Sequence, residues 1–386
     1  MASLNVIIAS DSFKGSASSR RVNDYIAEGV LRVTPDARVT RYPIADGGEG
    51  IMDALISARG GRVCSVRVTG PLGADVTAHY GFIEEERTAV IEMAEASGIT
   101  LIEQTAINAL CASTRGVGEV ILDALDRGAE HMYVGLGGSA TSDGGMGMAK
   151  ALGVRFLAAD GGEVTDGLAG LSELRAIDIT GVDDRVRQAE FIALTDVFNP
   201  LAGRCGAVYV YGPQKGIAKD DLPIVDAWME NYGYLLKRDV RSDAADVAGS
   251  GAAGGLGAAL IALCEARVVS GIDFVLDAIG IEEDMRDCDL VVTGEGRMDS
   301  QSANGKAPVG VARIARQHGV PVVAIVGSRA DDLGAIYREG IGLVIPTTTE
   351  PATLEECLAR VAVSIPLAGE SAMRAFLLGR TPIPVP

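Results

Sequence analysis

Short aliphatic runs, each followed by a polar loop and then by apolar residues at helical spacing, recur at both ends of the chain. Residues 4–9 form the first run. The polar stretch 10–19 follows, and Val22, Ile26 and Val30 then repeat every four residues, with Pro35 beyond the end. Residues 39–44 lead in the same way into Ala-Asp-Gly-Gly-Glu-Gly at 45–50 and a second helix, closed by Gly60-Gly61. The pattern returns after residue 289, with compact apolar runs at 290–293, 322–326 and 343–345 and helices between them. Strand, loop and helix in repetition predict a parallel sheet with crossover helices.

The middle reads differently. Residues 63–68, 74–82 and 88–93 are strand-like, and Thr-Gly-Pro-Leu-Gly separates the first two, which predicts an antiparallel meander joined by short turns. Residues 119–125 read as helix, 132–136 and 191–195 as strands, and 249–256 as a glycine-rich loop that opens a helix through Leu260 and Leu263. The expected class is α/β with two domains. A flavodoxin- or Rossmann-like parallel-sheet domain, discontinuous at 1–66 and 287–386, accepts an inserted mixed α/β domain at 67–286. The active site is expected in the interdomain cleft, at the carboxyl ends of strands.

Composition narrows the function. A chain of 386 residues favours two domains, and 48% apolar residues with only 4% aromatics require large aliphatic cores. A net charge of −18 without a basic block argues against nucleic-acid binding, so cations for an anionic substrate must be concentrated locally. The N-terminal stretch has no basic leader and no uninterrupted apolar run approaches a membrane span, so a cytoplasmic protein is expected, with no membrane partner. Six scattered cysteines and three isolated histidines give no zinc spacing and no disulfide framework.

Five polar loops stand out: 11–16, 45–50, 135–147, 194–200 and 293–300. Gly-Leu-Gly-Gly-Ser-Ala-Thr-Ser-Asp-Gly-Gly-Met-Gly at 135–147 lies between a strand and a helix. It has two readings: a cradle of exposed N–H groups for phosphate, or a tight turn stiffened by Ser, Thr and Asp caps. Dinucleotide-type glycine matches at 135–140 and 249–254 lack an acidic ribose partner, and Gly305-Lys306-Ala307 excludes a P-loop. Asp46, Glu49, Asp196, Glu295 and Asp299 each lie close to glycine or proline just past an apolar run, where oxygen ligands for Mg²⁺ and a base for phosphoryl transfer are wanted. Helix capping is the competing reading, most of all for Asp46 and Asp299. Lys14, Lys215 and Lys306, three of only six lysines, border glycines, and Arg297 offers a bidentate clamp for a carboxylate.

Those stretches, in this order, resemble the bacterial glycerate kinase family. The likeness also takes in Thr-Gly-Pro-Leu-Gly at 69–73, Thr-Asp-Val-Phe-Asn-Pro-Leu at 195–201, Gly-Pro-Gln-Lys-Gly at 212–216 and Gly-Ala-Ala-Gly-Gly-Leu-Gly at 251–257, and it runs from about residue 5 to 375. The resemblance implies ATP-dependent phosphorylation of D-glycerate, most often on the 2-hydroxyl, by a flavodoxin-like domain interrupted by a second α/β domain. Chemistry then suggests the roles. Gly137, Gly138, Ser139 and Thr141 cradle phosphates, with Lys215, Gly254 and Gly255 in the same nucleotide set. Lys14 neutralises the transferring group, and Asp196 orients or deprotonates the hydroxyl. Glu295 and Asp299 hold Mg²⁺, while Asp46, Glu49, Arg297 and Lys306 contact glycerate. Two rivals stay open: a GHMP-like kinase, suggested by the similar Gly-Leu-Gly loop, and a non-catalytic nucleotide or metabolite binder. The pattern is compatible with a homo-oligomer and leaves open oligomeric state, domain closure, and the choice between the 2- and 3-hydroxyl.

Overall fold

The structure is a computed structural model that describes residues 3–380 apart from 46, 49 and 301. Its contacts divide the chain into two units, Met1–Asp46 with Ile272–Pro386, and Gly47–Gly271. The strands in chain order are β1 (Asn5–Ser10), β2 (Arg38–Arg41), β3 (Arg62–Thr69), β4 (Asp75–Ile83), β5 (Thr88–Glu92), β6 (His131–Gly135), β7 (Arg155–Leu157), β8 (Ala176–Asp178), β9 (Glu190–Leu194), β10 (Arg267–Val269), β11 (Leu290–Met298), β12 (Val322–Arg329) and β13 (Leu343–Pro346).

The first unit is a five-stranded parallel sheet in the order β13-β12-β11-β1-β2. Counted within this unit alone, the order is 2-1-3-4-5, the flavodoxin-like winding, and its topological switch point falls between β1 and β11. Both faces are covered, so the strands are continuously apolar and split alternate residues between two cores. Val6, Ile8, Leu290, Val292, Val323 and Ile325 face one core. Ile7, Ala9, Val291, Val322, Ala324 and Val326 face the other.

The second unit holds a six-stranded mixed sheet, β10-β9-β6-β5-β4-β3, and a small antiparallel pair, β7-β8. The expected meander is present as β3-β4-β5, and β5, β6, β9 and β10 run parallel. Pairing decides where the chain changes unit. β3 joins β4 from Arg62 to Thr69, and the preceding helix Ile51–Arg59 packs Met52 and Ile56 against Gly81, so the change comes at Asp46/Gly47 and not near 66. On the return, Ile272 and Leu276 are already buried with Ile7 and Val291, well before 287.

Helix Val361–Arg380 is long and apolar enough to cross a bilayer by length and composition, although no uninterrupted apolar run was expected to reach that length. Here it is a cover for the first sheet: Ile365, Ala368, Ala372 and Met373 are buried with Val22, Ile26 and Val30 of helix Ser19–Val33. The two helices touch at glycines. A methyl group on Gly29 would overlap the Pro366 carbonyl oxygen, and one on Gly369 would lie 2.7 Å from the Ile26 carbonyl. Helix propensity alone would make Gly29→Ala stabilising, but the close crossing reverses the sign. Urea denaturation of Gly29→Ala should show a loss of about 1–3 kcal/mol, the usual cost of overpacking.

Candidate active site

The parallel strands of the second unit end level with one another, Glu92, Gly135, Leu194 and Val269 being register partners. The polar segments that follow these ends therefore meet. Leu136 N donates to the carbonyls of Gly47 (3.1 Å) and Leu194 (3.0 Å). A side chain on Gly137 would collide with Gly48 Cα, so glycine is required there by the close approach of two backbones.

Asp143 holds this glycine-rich segment in shape. Its fully buried carboxylate accepts hydrogen bonds from Thr114 N (2.9 Å), Thr114 Oγ1 (2.9 Å), Gly145 N (3.1 Å) and Gly147 N (3.1 Å). Thr114 Oγ1 in turn accepts from Met148 N (2.9 Å). The segment is thus a capped strand-to-helix turn, with Asp143 and Thr114 satisfying the first N–H groups around helix Met146–Ala151. Burial pushes the Asp143 carboxyl upward, and these four hydrogen bonds oppose the shift.

Beneath the turn lies Lys215, 4% exposed, with Nζ 2.6 Å from Ser139 Oγ and 2.6 Å from the Thr141 carbonyl oxygen. Burial drives its amine down to about 7, against the attraction of Asp143. Gly254 and Gly255 adopt left-handed backbone (φ 67° and 92°) inside the first turn of helix Ala252–Cys264. Gly254 O accepts from Gly144 N (3.0 Å), and a Cβ on Gly255 would lie 2.9 Å from Gly144 Cα. The fold therefore gathers Gly137, Gly138, Ser139, Thr141, Lys215, Gly254 and Gly255, with the last two buried behind the turn as its support.

Asp196 follows β9. Its Oδ1 accepts from Ser270 Oγ (3.0 Å), and a Cβ on Gly47 would lie 3.2 Å from its Oδ2. Sequence reasoning missed Glu92, whose only signal is a charge at the end of the apolar run Thr-Ala-Val-Ile-Glu. Its buried Oε1 accepts from Gly50 N (2.9 Å) and Met52 N (2.9 Å), fastening the start of helix Ile51–Arg59 to the sheet, and burial raises it to about 7. Asp46 and Glu49 lie outside the described residues.

In the first unit the polar groups sit at the switch point. Asp11 N donates to Gly294 O (2.9 Å), and the Lys14 backbone nitrogen would lie 3.7 Å from a Cβ on Gly296. Residues 294–298 were expected in a loop, but they extend β11, because Gly294, Arg297 and Met298 still pair with Ile325, Ser328 and Arg329 of β12. Glu295, 6% exposed, faces Lys306 (Oε2 to Nζ 4.0 Å), and Arg297 reaches Asp299 (3.8 Å). Among the described residues no three His, Cys, Asp or Glu side chains cluster as a metal centre. Mg²⁺ needs fewer: it commonly takes one or two protein carboxylates and completes its shell with phosphate oxygens and water, which Glu295 and Asp299 fit in donor type.

The fold is α/β, with a doubly wound parallel sheet in the first unit and, in the second, a glycine-rich turn over a buried amine. Comparison with known proteins makes the class specific. The Glycerate kinase family profile matches residues 6–377. The chain is 43% identical over 353 residues to glycerate 2-kinase of Escherichia coli K12, covering 92% of this chain and 93% of that one. It is 44% identical over 359 residues to glycerate kinase of Bacillus subtilis 168, covering 93% and 94%. A crystal structure provisionally assigned as glycerate kinase 2 from Salmonella typhimurium LT2 superposes with a TM-score of 0.82 at 41% identity, covering 98% of this chain and 99% of that one. The chain belongs to the glycerate kinase family and is an enzyme, a kinase. Membership displaces both the non-catalytic reading and the likeness to the GHMP loop.

Two of the shifted groups give a pH signature. Glu92 is raised from 4.5 to about 7 in the folded state, so folding binds protons and stability falls as pH rises through that window. Lys215 is lowered from 10.5 to about 7, so the unfolded chain binds more protons and stability rises from pH 7 to 10.5. Thermal denaturation against pH should lose its acid-side slope in Glu92→Gln and its alkaline-side slope in Lys215→Met. Unchanged slopes would show that these groups titrate normally.

Proposed function

We propose that the enzyme transfers the γ-phosphoryl group of Mg·ATP to the 2-hydroxyl of D-glycerate, giving 2-phosphoglycerate and ADP. One observation carries this reading beyond family membership. In a chain of net charge −18, an amine is buried under a glycine-rich turn at the carboxyl edge of a parallel sheet, where an anion gains most from it. The name of the Escherichia coli relative, a glycerate 2-kinase, favours the 2-hydroxyl over the 3-hydroxyl.

In this reading the turn at Gly137, Gly138, Ser139 and Thr141 receives phosphate oxygens, and Lys215 beneath it supplies the countercharge. Lys14 meets the charge that develops on the transferring group. Glu295 and Asp299 would hold Mg²⁺, which would supply positive charge against that of the phosphates. Arg297 and Lys306 suit the glycerate carboxylate; Asp46 and Glu49 remain candidates for its hydroxyls. Asp196, oriented by Ser270, accepts the proton of the attacking hydroxyl. Such a base typically contributes roughly 10²–10⁴-fold.

Asp196→Asn should therefore lower kcat by about 10²–10⁴-fold while leaving nucleotide affinity within a few-fold of the parent, as measured by steady-state kinetics and calorimetry. Incubation with Mg·ATP and D-glycerate, read by ³¹P NMR, should give the 2-phosphate. A 3-phosphate product would overturn the regiochemistry, and no phosphoglycerate at all would overturn the function.

A further inference from the structure

β3 is the outermost strand of the six-stranded sheet. It is eight residues long and, among the described residues, pairs only with β4. The other edge strands of the two larger sheets, β2, β10 and β13, have four, three and four residues. β3 carries no proline and its ladder with β4 has no bulge, so two common devices that blunt an edge are missing. Three hydrogen bonds fix which of its backbone groups face outward. Gly70 N donates to Ala74 O (2.7 Å), continuing the ladder, so the even-numbered residues turn N–H and C=O toward β4. Thr69 N turns the other way, to Glu119 Oε2 (2.6 Å). His79 N, opposite Ser65, likewise points away from β3, to Glu95 Oε2 (3.0 Å). Val63, Ser65 and Arg67 therefore present their N–H and C=O groups at the open edge, and all three residues are exposed. The row stops at Thr69. Glu119 occupies its nitrogen, and its carbonyl oxygen would lie 2.3 Å from a Cβ on Gly116.

We propose that this edge binds a second copy of the chain, β3 running antiparallel to β3 about a two-fold axis at Ser65. Ser65 then pairs with Ser65 of the partner subunit, and Val63 with Arg67 of the partner subunit, so the outward groups of the row satisfy one another. Charge selects this occupant. Arg67 is held by Asp75 of its own chain (2.6 Å) and comes opposite a valine, so no like charges face each other. Arg62 comes opposite Val68 of the partner subunit, next to Thr69 and hence beside the partner subunit's Glu119. Both groups lie on the sheet face covered by helix Arg115–Asp126: Arg62 stacks over Phe82 of that core, and Glu119 belongs to the helix. Arg62 bonds Glu84 through Nε, which leaves its outer nitrogens for the partner subunit's carboxylate. The axis repeats this ion pair and joins two six-stranded sheets into one. The inference stands apart from the proposed reaction, since none of these residues belongs to the candidate active site.

The experiment is analytical ultracentrifugation of the full chain over a dilution series, expected to show twice the mass of the 39.9-kDa chain. Ser65→Pro removes the central outward N–H, which β4 does not use, and Arg62→Glu sets carboxylates against each other. Each should raise the dissociation constant by roughly 10–100-fold, with the fold checked by thermal denaturation. Ser65→Cys tests the register. At the axis the two Cα atoms would stand about 5.5 Å apart, within disulfide range, so mild oxidation should give a covalent dimer that the parent does not form. Val63→Cys, roughly 13 Å along the strand from its copy, should give none. A parent that is monomeric at every concentration overturns the inference. So does a dimer that persists in folded Ser65→Pro and Arg62→Glu, or one in which Ser65→Cys forms no disulfide. If Ser65→Pro misfolds, Arg62→Glu and the disulfide decide.

Discussion

The second unit depends on hiding an amine and a carboxyl under one short turn. A lone buried charge is costly, by several kcal/mol even after relaxation, so each group must be supplied with partners or neutralised. Asp143 is supplied with backbone and threonine donors that a helix start leaves unsatisfied in any case. Lys215 is supplied with Ser139 and Thr141 and loses basicity. The turn cannot relax away from the amine without exposing both solutions to failure. It is therefore a close-packed shell, and its glycines follow from that packing. Gly254 and Gly255 stand against Thr141 and Gly144, and Gly137 against Gly48, with no space for a side chain.

The same economy explains how an acidic protein handles anions. With a formal charge of −18, cations scattered over the surface would be swamped. The cationic side chains of the candidate sites instead each have specific partners. Lys215 is buried in the second unit, and Lys306 and Arg297 face carboxylates in the first.

Two readings of the 135–147 segment, phosphate cradle or capped turn, looked like alternatives from residues alone. The structure shows that the cap is real, because Asp143 is consumed by backbone donors. It also shows why a cap does not preclude a ligand: Ser139 and Thr141 precede Asp143 and are held by the amine, not by the helix start.

Periodicity was enough to predict the parallel sheet of the first unit and most strands of the second, since apolar residues on parallel strands must be buried on both faces, and an uncovered face would expose them to water. The antiparallel meander was legible because Thr-Gly-Pro-Leu-Gly permits little but a turn. The glycine-rich segments were legible as sites because backbone without side chains builds no core. Long-range pairing was not. Which sheet receives residues 62–69 depends on a partner strand later in the chain, and β11 outruns its expected end because β12 continues beside it. Glu92 was invisible for the same reason, since one acid after an apolar run carries no mark of the helix it will cap. The depressed basicity of Lys215 likewise exists only once residues 76 positions apart in the chain close over it, because desolvation is a property of the packed surroundings and not of the residue.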